Sequence, residues 1–174
     1  MGNFPGGTVV RVKPTVIAGT THDNDVMFDS TEIPGAVSNR GGISKLVGMT
    51  IIDKDQESHD MELIFTENQV NFGTAGDATS ITDANLALAK VLHAFPLDFS
   101  DGQLVIPQDS GQAAIWSTSG LTGAIDEAAK SYMPLILKAG SNTTSVYFTA
   151  ISAAEMAYAA TDDLEFVFHI EYLD

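Results

Sequence analysis

The sequence predicts a mainly β domain, an antiparallel β-sandwich of jelly-roll-like type with one short α-helix at about residues 82–93. Three features predict it. The closing stretch, Leu164 to Asp174, alternates large apolar with mostly polar side chains, as a strand buried on one face must. Other short runs rich in Val, Ile and aromatic residues are separated by turns, and 15 glycines and 6 prolines supply them. Helical signals concentrate in one segment, Thr82 to His93. Ala-rich pieces at 124–130 and 153–158 leave an α+β arrangement open.

In chain order, Thr8–Val16 reads as an imperfect strand with Val10 and Val12 on one side and Val9, Arg11 and Lys13 on the other. Pro14 has no N–H to give a ladder, so this strand lies at an edge or breaks there. Residues 18–42 read as short β pieces between turns. Gly42–Asp53 and Asp60–Thr66 are two β-rich runs around a polar connection, which predicts an antiparallel hairpin. Met61, Leu63 and Phe65 share a face. Asn71–Asp77 reads as a loop. Thr82 suits an N-cap, Asp83 suits the positive end of a helix dipole, and Pro96 enforces a stop soon after His93. Leu104–Ile106, Ala113–Trp116, Leu135–Leu137 and Ser145–Ala150 are further strands. On the terminal strand Leu164, Phe166, Phe168, Ile170 and Tyr172 face the core beside Met61, Leu63 and Phe65. Glu165, Val167, His169 and Glu171 face water or a neighbouring subunit.

A chain of 174 residues fits one domain, 1–174, with residues 1–12 a candidate extended N-terminal arm. At 44% hydrophobic and 18% charged residues the chain is globular rather than disordered. No apolar run approaches the roughly 20 residues that cross a bilayer. The opening Met1–Gly7 lacks the basic and apolar regions of a secretory signal, so synthesis in the cytoplasm as a soluble protein is expected. The absence of cysteine excludes disulfides, thiolate metal sites and cysteine nucleophiles. Eight cations against 23 carboxylates give a net charge of −15, and the cations are scattered. Clustered Lys and Arg are what phosphate backbones require, so neither nucleic acid nor an anionic membrane is an expected partner.

Catalytic, metal and cofactor signs are missing. His22, His59, His93 and His169 stand far apart with no HxH, HxxxH or HExxH spacing, so no metal site is predicted. Asp53, Asp55, Glu57 and Asp60 resemble the start of a calcium loop. Ser58 and Ile64, however, occupy the places where an EF-hand needs Gly and Glu, and the stretch reads as a solvated hairpin tip. There is no GxSxG elbow, P-loop or GxGxxG. Trp116, Tyr132, Tyr147 and Tyr158 are the aromatics that exposure would turn into sugar-stacking platforms, and core or interface packing is the plainer reading. Candidate interface residues are Phe4, Val9, Trp116, Tyr147, His169 and Tyr172.

Several segments together resemble the small virion structural proteins of tailed bacteriophages, of the head-decoration or capsid-cement type. They are the glycine-rich opening into Val9–Val12, the Asp23–Val26 turn, Ile33–Val37, and Gly41–Gly42 through Leu46–Asp55. Leu63–Phe65, Phe72–Thr74, the Thr82–Asp83 helix start and the ending Ala160–Ile170 complete the set, so the resemblance spans most of the chain. It implies a non-enzymatic protein of the capsid surface that needs no cofactor and is made in the host cytoplasm. It would bind the major capsid protein, stabilise the shell, and form a homo-oligomer, with a trimer favoured. The competing readings are a carbohydrate- or receptor-binding β-sandwich displayed on the virion, and an enzyme with clustered histidines or paired carboxylates.

Overall fold

A computed structural model describes residues 6–57, 60–99, 104–108, 111–118 and 133–173. The strands are β1 (Gly7–Val12), β2 (Gly19–Thr21), β3 (Val26–Ile33), β4 (Ile43–Asp53), β5 (Met61–Thr66), β6 (Val91–Leu97) and β7 (Leu104–Gln108). They continue with β8 (Gly111–Ser117), β9 (Leu135–Lys138), β10 (Val146–Ser152), β11 (Met156–Tyr158) and β12 (Leu164–Tyr172), and α1 (Asp83–Ala89) precedes β6. A six-stranded sheet runs β1-β12-β4-β8-β7 with β9 also on β4, and a four-stranded sheet runs β3-β10-β5-β6. β2 and β11 form a separate ribbon.

The pairing follows the winding of a jelly roll. β1 with β12, β3 with β10, β4 with β9 and β5 with β6 are four antiparallel pairs, nested like the rungs of one long hairpin. Rolling that hairpin up brings β12 beside β4 and β10 beside β5, which completes both sheets apart from the β7–β8 hairpin. The β7–β8 hairpin is inserted between β6 and β9. β8 takes the Thr50–Asp53 half of β4, while β9 takes Ile43–Leu46.

The two sheets close on one apolar core. Phe148 of β10 is fully buried and meets Phe166 and Phe168 of β12 edge-on at 4.9 and 5.0 Å, with Phe28 at 5.3 Å and Phe65 at 6.2 Å. Leu164, Phe166, Phe168 and Ile170 are all buried, and Phe65 lies 6.0 Å from Phe168 across the sandwich. The inward face of the terminal strand is therefore the predicted one, and the strand sits in the interior of its sheet. β1 is an edge strand that ends before Pro14, as its sequence requires. A satellite cluster of Val26, Ile64, Val70, Phe72 and Ala89 covers the outer side of the four-stranded sheet.

Several expectations are corrected. β4 and β5 do not form a hairpin: β4 pairs β12, β8 and β9, and β5 pairs β10 and β6, so the intervening chain crosses from one sheet to the other. Each run is apolar on its inner face, a pattern that serves facing sheets as well as paired strands. The helix expected at 82–93 stops at Ala89. Thr82 caps it through Asn85 N–H at 3.2 Å, but Lys90 turns left-handed (φ 51°) and Val91–Leu97 is drawn into an edge strand against β5. Pro96 is accommodated there because the edge requires no second ladder. The 153–158 piece contains β11 rather than a helical turn, and 124–130 lies outside the described residues. Residues 7–12 of the candidate arm pair with β12 along their length. On the outer face of β12, Glu165 and Val167 are buried rather than open. Arg11, in register with Val167, reaches Glu165 at 2.7 Å, and Lys13 approaches it at 3.7 Å.

Candidate functional site

The titratable side chains are engaged in holding turns. Asp53 accepts from Asp55 N–H at 3.0 Å, Asp55 from Ala159 N–H at 2.5 Å, Glu57 from Ala157 N–H at 3.0 Å and Asp163 from Ala160 N–H at 2.6 Å. Asp55 and Glu57 thereby tie residues 157–159 to the chain that leaves β4, so this stretch is a built junction rather than a solvated hairpin tip. Tyr158 is buried among these carboxylates. Burial first, then the surrounding Asp53, Glu57, Asp163 and Asp55, pushes its hydroxyl well above the ordinary tyrosine range. Burial also raises the Asp163 carboxyl, with Asp55 adding to the effect.

The histidines separate as well. His22 Nδ1 meets Glu155 at 3.2 Å, His93 Nε2 meets the Ile136 carbonyl at 2.9 Å, and His169 stands half-buried on the outer face of β12. His59 lies outside the described residues. Among the described residues no group of three or more His, Cys, Asp or Glu side chains is placed to hold a metal ion.

The named aromatics do not converge. Trp116 is 1% exposed and packs 6.0 Å from Phe99 in the core, so its ring offers no stacking face to solvent. Tyr158 is buried, and half-buried Tyr172 donates its hydroxyl to the Gly35 carbonyl at 3.0 Å. Tyr147 is half-exposed on β10, whereas Phe4 and Tyr132 lie outside the described residues. Glu67, buried after β5, binds Lys90 at 2.7 Å and Lys138 at 3.2 Å beside a cleft of about 250 Å³ that Gly41, Ala139 and Ser141 also line. The Lys90 hydrogen bond, helped by Lys138, outweighs burial and holds the Glu67 carboxyl below its ordinary range.

The distinctive surface is apolar. Among the described residues, the exposed large hydrophobics lie in three regions of the fold. Leu86, Leu88 and Val91 project from α1 and the start of β6, and Leu104, Val105 and Ile106 lie on edge strand β7. Val9, Ile43, Val47, Ile136 and Leu173, each 42–57% exposed, occupy one end of the outer face of the six-stranded sheet. Register orders that face in rows across β1, β12, β4 and β9. Leu173, Ile43 and Lys138 form one row, and Gly7, Glu171, Lys45 and Ile136 the next. In the third, Val9 lies opposite His169, which faces Gly48 where a bulge adds Val47.

Of the predicted interface residues, Val9 and His169 are thus brought side by side on this face. Ile43, Val47, Ile136 and Leu173 were not singled out by sequence. The continuous Leu135–Leu137 run was the available signal, since an apolar residue at every position of a strand leaves one of them facing out.

No protein-family model matches the chain, and no curated protein matches it. Among solved structures, a chain of Desmodium yellow mottle tymovirus is similar at 13% identity, over 98% of this chain and 82% of its own, with a TM-score of 0.27. A likeness that slight supports no conclusion about function.

Proposed function

We propose that this chain is a non-enzymatic virion structural protein that binds an assembled phage capsid and stabilises it as a decoration or cement subunit. The observation that carries the reading is the group of exposed apolar side chains, Val9, Ile43, Val47, Ile136 and Leu173, that register lays together at one end of the outer face of the six-stranded sheet. Apolar surface gathered on one face in this way marks a contact site, as a subunit docked on an assembly requires. The net charge of −15 favours solubility and opposes non-specific association of free subunits. Jelly rolls build viral capsid, lectin and cupin domains, so the winding is compatible with the role without selecting it. The whole-chain resemblance to head-decoration proteins points the same way.

In this reading the chain works as one domain on the capsid surface, with the major capsid protein as its partner and synthesis in the host cytoplasm. Val9 and His169 belong to a contact face, and the function requires no covalent chemistry. Particles lacking the protein should lose resistance to heat or pressure and recover it when the protein is added back. Unchanged particle stability, together with no co-sedimentation with heads, would sink the proposal. A glycan-binding role would rest on Tyr147 among the described aromatics named above, and glycan-array binding by the isolated chain would favour it instead.

A further inference from the structure

We infer that the apolar end of the six-stranded sheet is a self-contact: two copies pack this face together about a two-fold axis running along the strands between β12 and β4. The inference deepens the virion reading and rests on it only in taking this face as an assembly surface. The exposed apolar side chains of α1 and β7 remain for the shell.

The occupant follows from the charges. Such an axis carries each position on β12 over the same row of β4 in the partner copy, and each position on β1 over β9. Glu171 then meets Lys45 of the other copy, twice over, because the two residues share a row on adjacent strands. Leu173 meets Ile43, and Val47 meets the ring of His169. At the end of the central row Gly7 has no side chain, and the axis places Ile136 of the other copy over that hollow. The face therefore complements itself in sign and in shape. A generic surface of this chain, at −15 overall, repels its own copy. Sheets packed face to face keep their strands within about 30° of one another, which preserves these central pairings.

Three rows across four strands cover roughly 300 Å² of sheet. That is well below the about 800 Å² each partner gives up in a standard-size complex, so the dimer is weak. Docked on a shell, where neighbours are held together, a weak contact of this kind gains from effective concentration.

Sedimentation equilibrium of the full chain, with circular dichroism and a thermal melt to verify folding, provides the test. Wild type should dimerise reversibly. Lys45→Glu and Glu171→Lys should each weaken the dimer more than tenfold, because like charges then meet twice across the axis. Mixing the two folded variants should restore a dimer of one copy of each, since both crossing pairs are again opposite in sign. A contact within one chain cannot produce that rescue. Ile136→Asp, beside Lys45 in the same row, puts a charge over the Gly7 hollow of the other copy and should abolish the dimer as well. A monomeric wild type, single variants that associate like wild type, or a mixture that stays monomeric would overturn the self-contact. If wild type is monomeric while Lys45→Glu loses binding to heads, the face belongs to the shell, which overturns this inference and leaves the virion reading standing.

Discussion

Replacing Phe168 by alanine removes a ring with no exposed surface that packs 5.0 Å from Phe148, 5.9 Å from Phe166 and 6.0 Å from Phe65. Loss of transfer free energy plus the cavity left behind should cost about 3–5 kcal/mol, a large share of the roughly 5–15 kcal/mol that holds a domain together. The neighbouring substitution His169→Ala removes a half-exposed ring from the opposite side of the same strand and should stay within about 0.5 kcal/mol. Urea unfolding of the two variants beside wild type measures both, and the midpoint should fall steeply for the first with little change in slope. The melting temperature of Phe168→Ala should drop by roughly 6–20 °C. Because a one-residue slip exchanges the two faces of a strand, a larger loss for His169→Ala than for Phe168→Ala would refute the register of β12. A loss below about 1.5 kcal/mol for Phe168→Ala would refute its place at the centre of the core.

Truncation before Leu164 removes the strand between β1 and β4 along with five buried apolar side chains, together about 7.5–15 kcal/mol. No cooperative melt should remain. Thr82→Ala takes away the cap of α1 and should cost about 1 kcal/mol, read from the urea midpoint. The Glu67 carboxyl has a depressed folded value, so its contribution is present above pH 4.5 and lost as pH falls through that folded value. Glu67→Gln should lack this segment of the stability-versus-pH curve. Asp163 has the opposite sign: its raised folded value makes its contribution complete below pH 3.8 and lost as pH climbs through that value. Asp163→Asn, which keeps an oxygen for the Ala160 N–H, should therefore be no less stable than wild type at neutral pH and should show a flatter pH profile.

The fold class was legible because period-2 patterning is strong in this chain. β12 shows it over nine residues, and β5 shows it in Met61, Leu63 and Phe65. What patterning does not encode is the partner. β4 and β5 carry the same alternation whether they pair with each other or face each other across a core, and the choice is made by β12 and β10, more than 80 residues away in sequence. The helix boundary failed for a similar reason. Val91, Leu92 and His93 are acceptable in a helix, but the open edge of β5 offers their backbone a ladder. The proposed contact face was half legible. Val9 and His169 were visible as outward positions, whereas Ile43, Val47 and Leu173 acquire meaning only when register lays four strands side by side. Trp116 reads from sequence as a candidate interface aromatic, and the structure gives it to the core.

Electron cryomicroscopy of phage heads prepared without this protein, imaged before and after it is added, tests the proposed role most directly. Added density at regular positions on the outer surface, of a size to hold paired jelly rolls, is the predicted result. Heads that look the same before and after addition, with the protein left unbound, would contradict it.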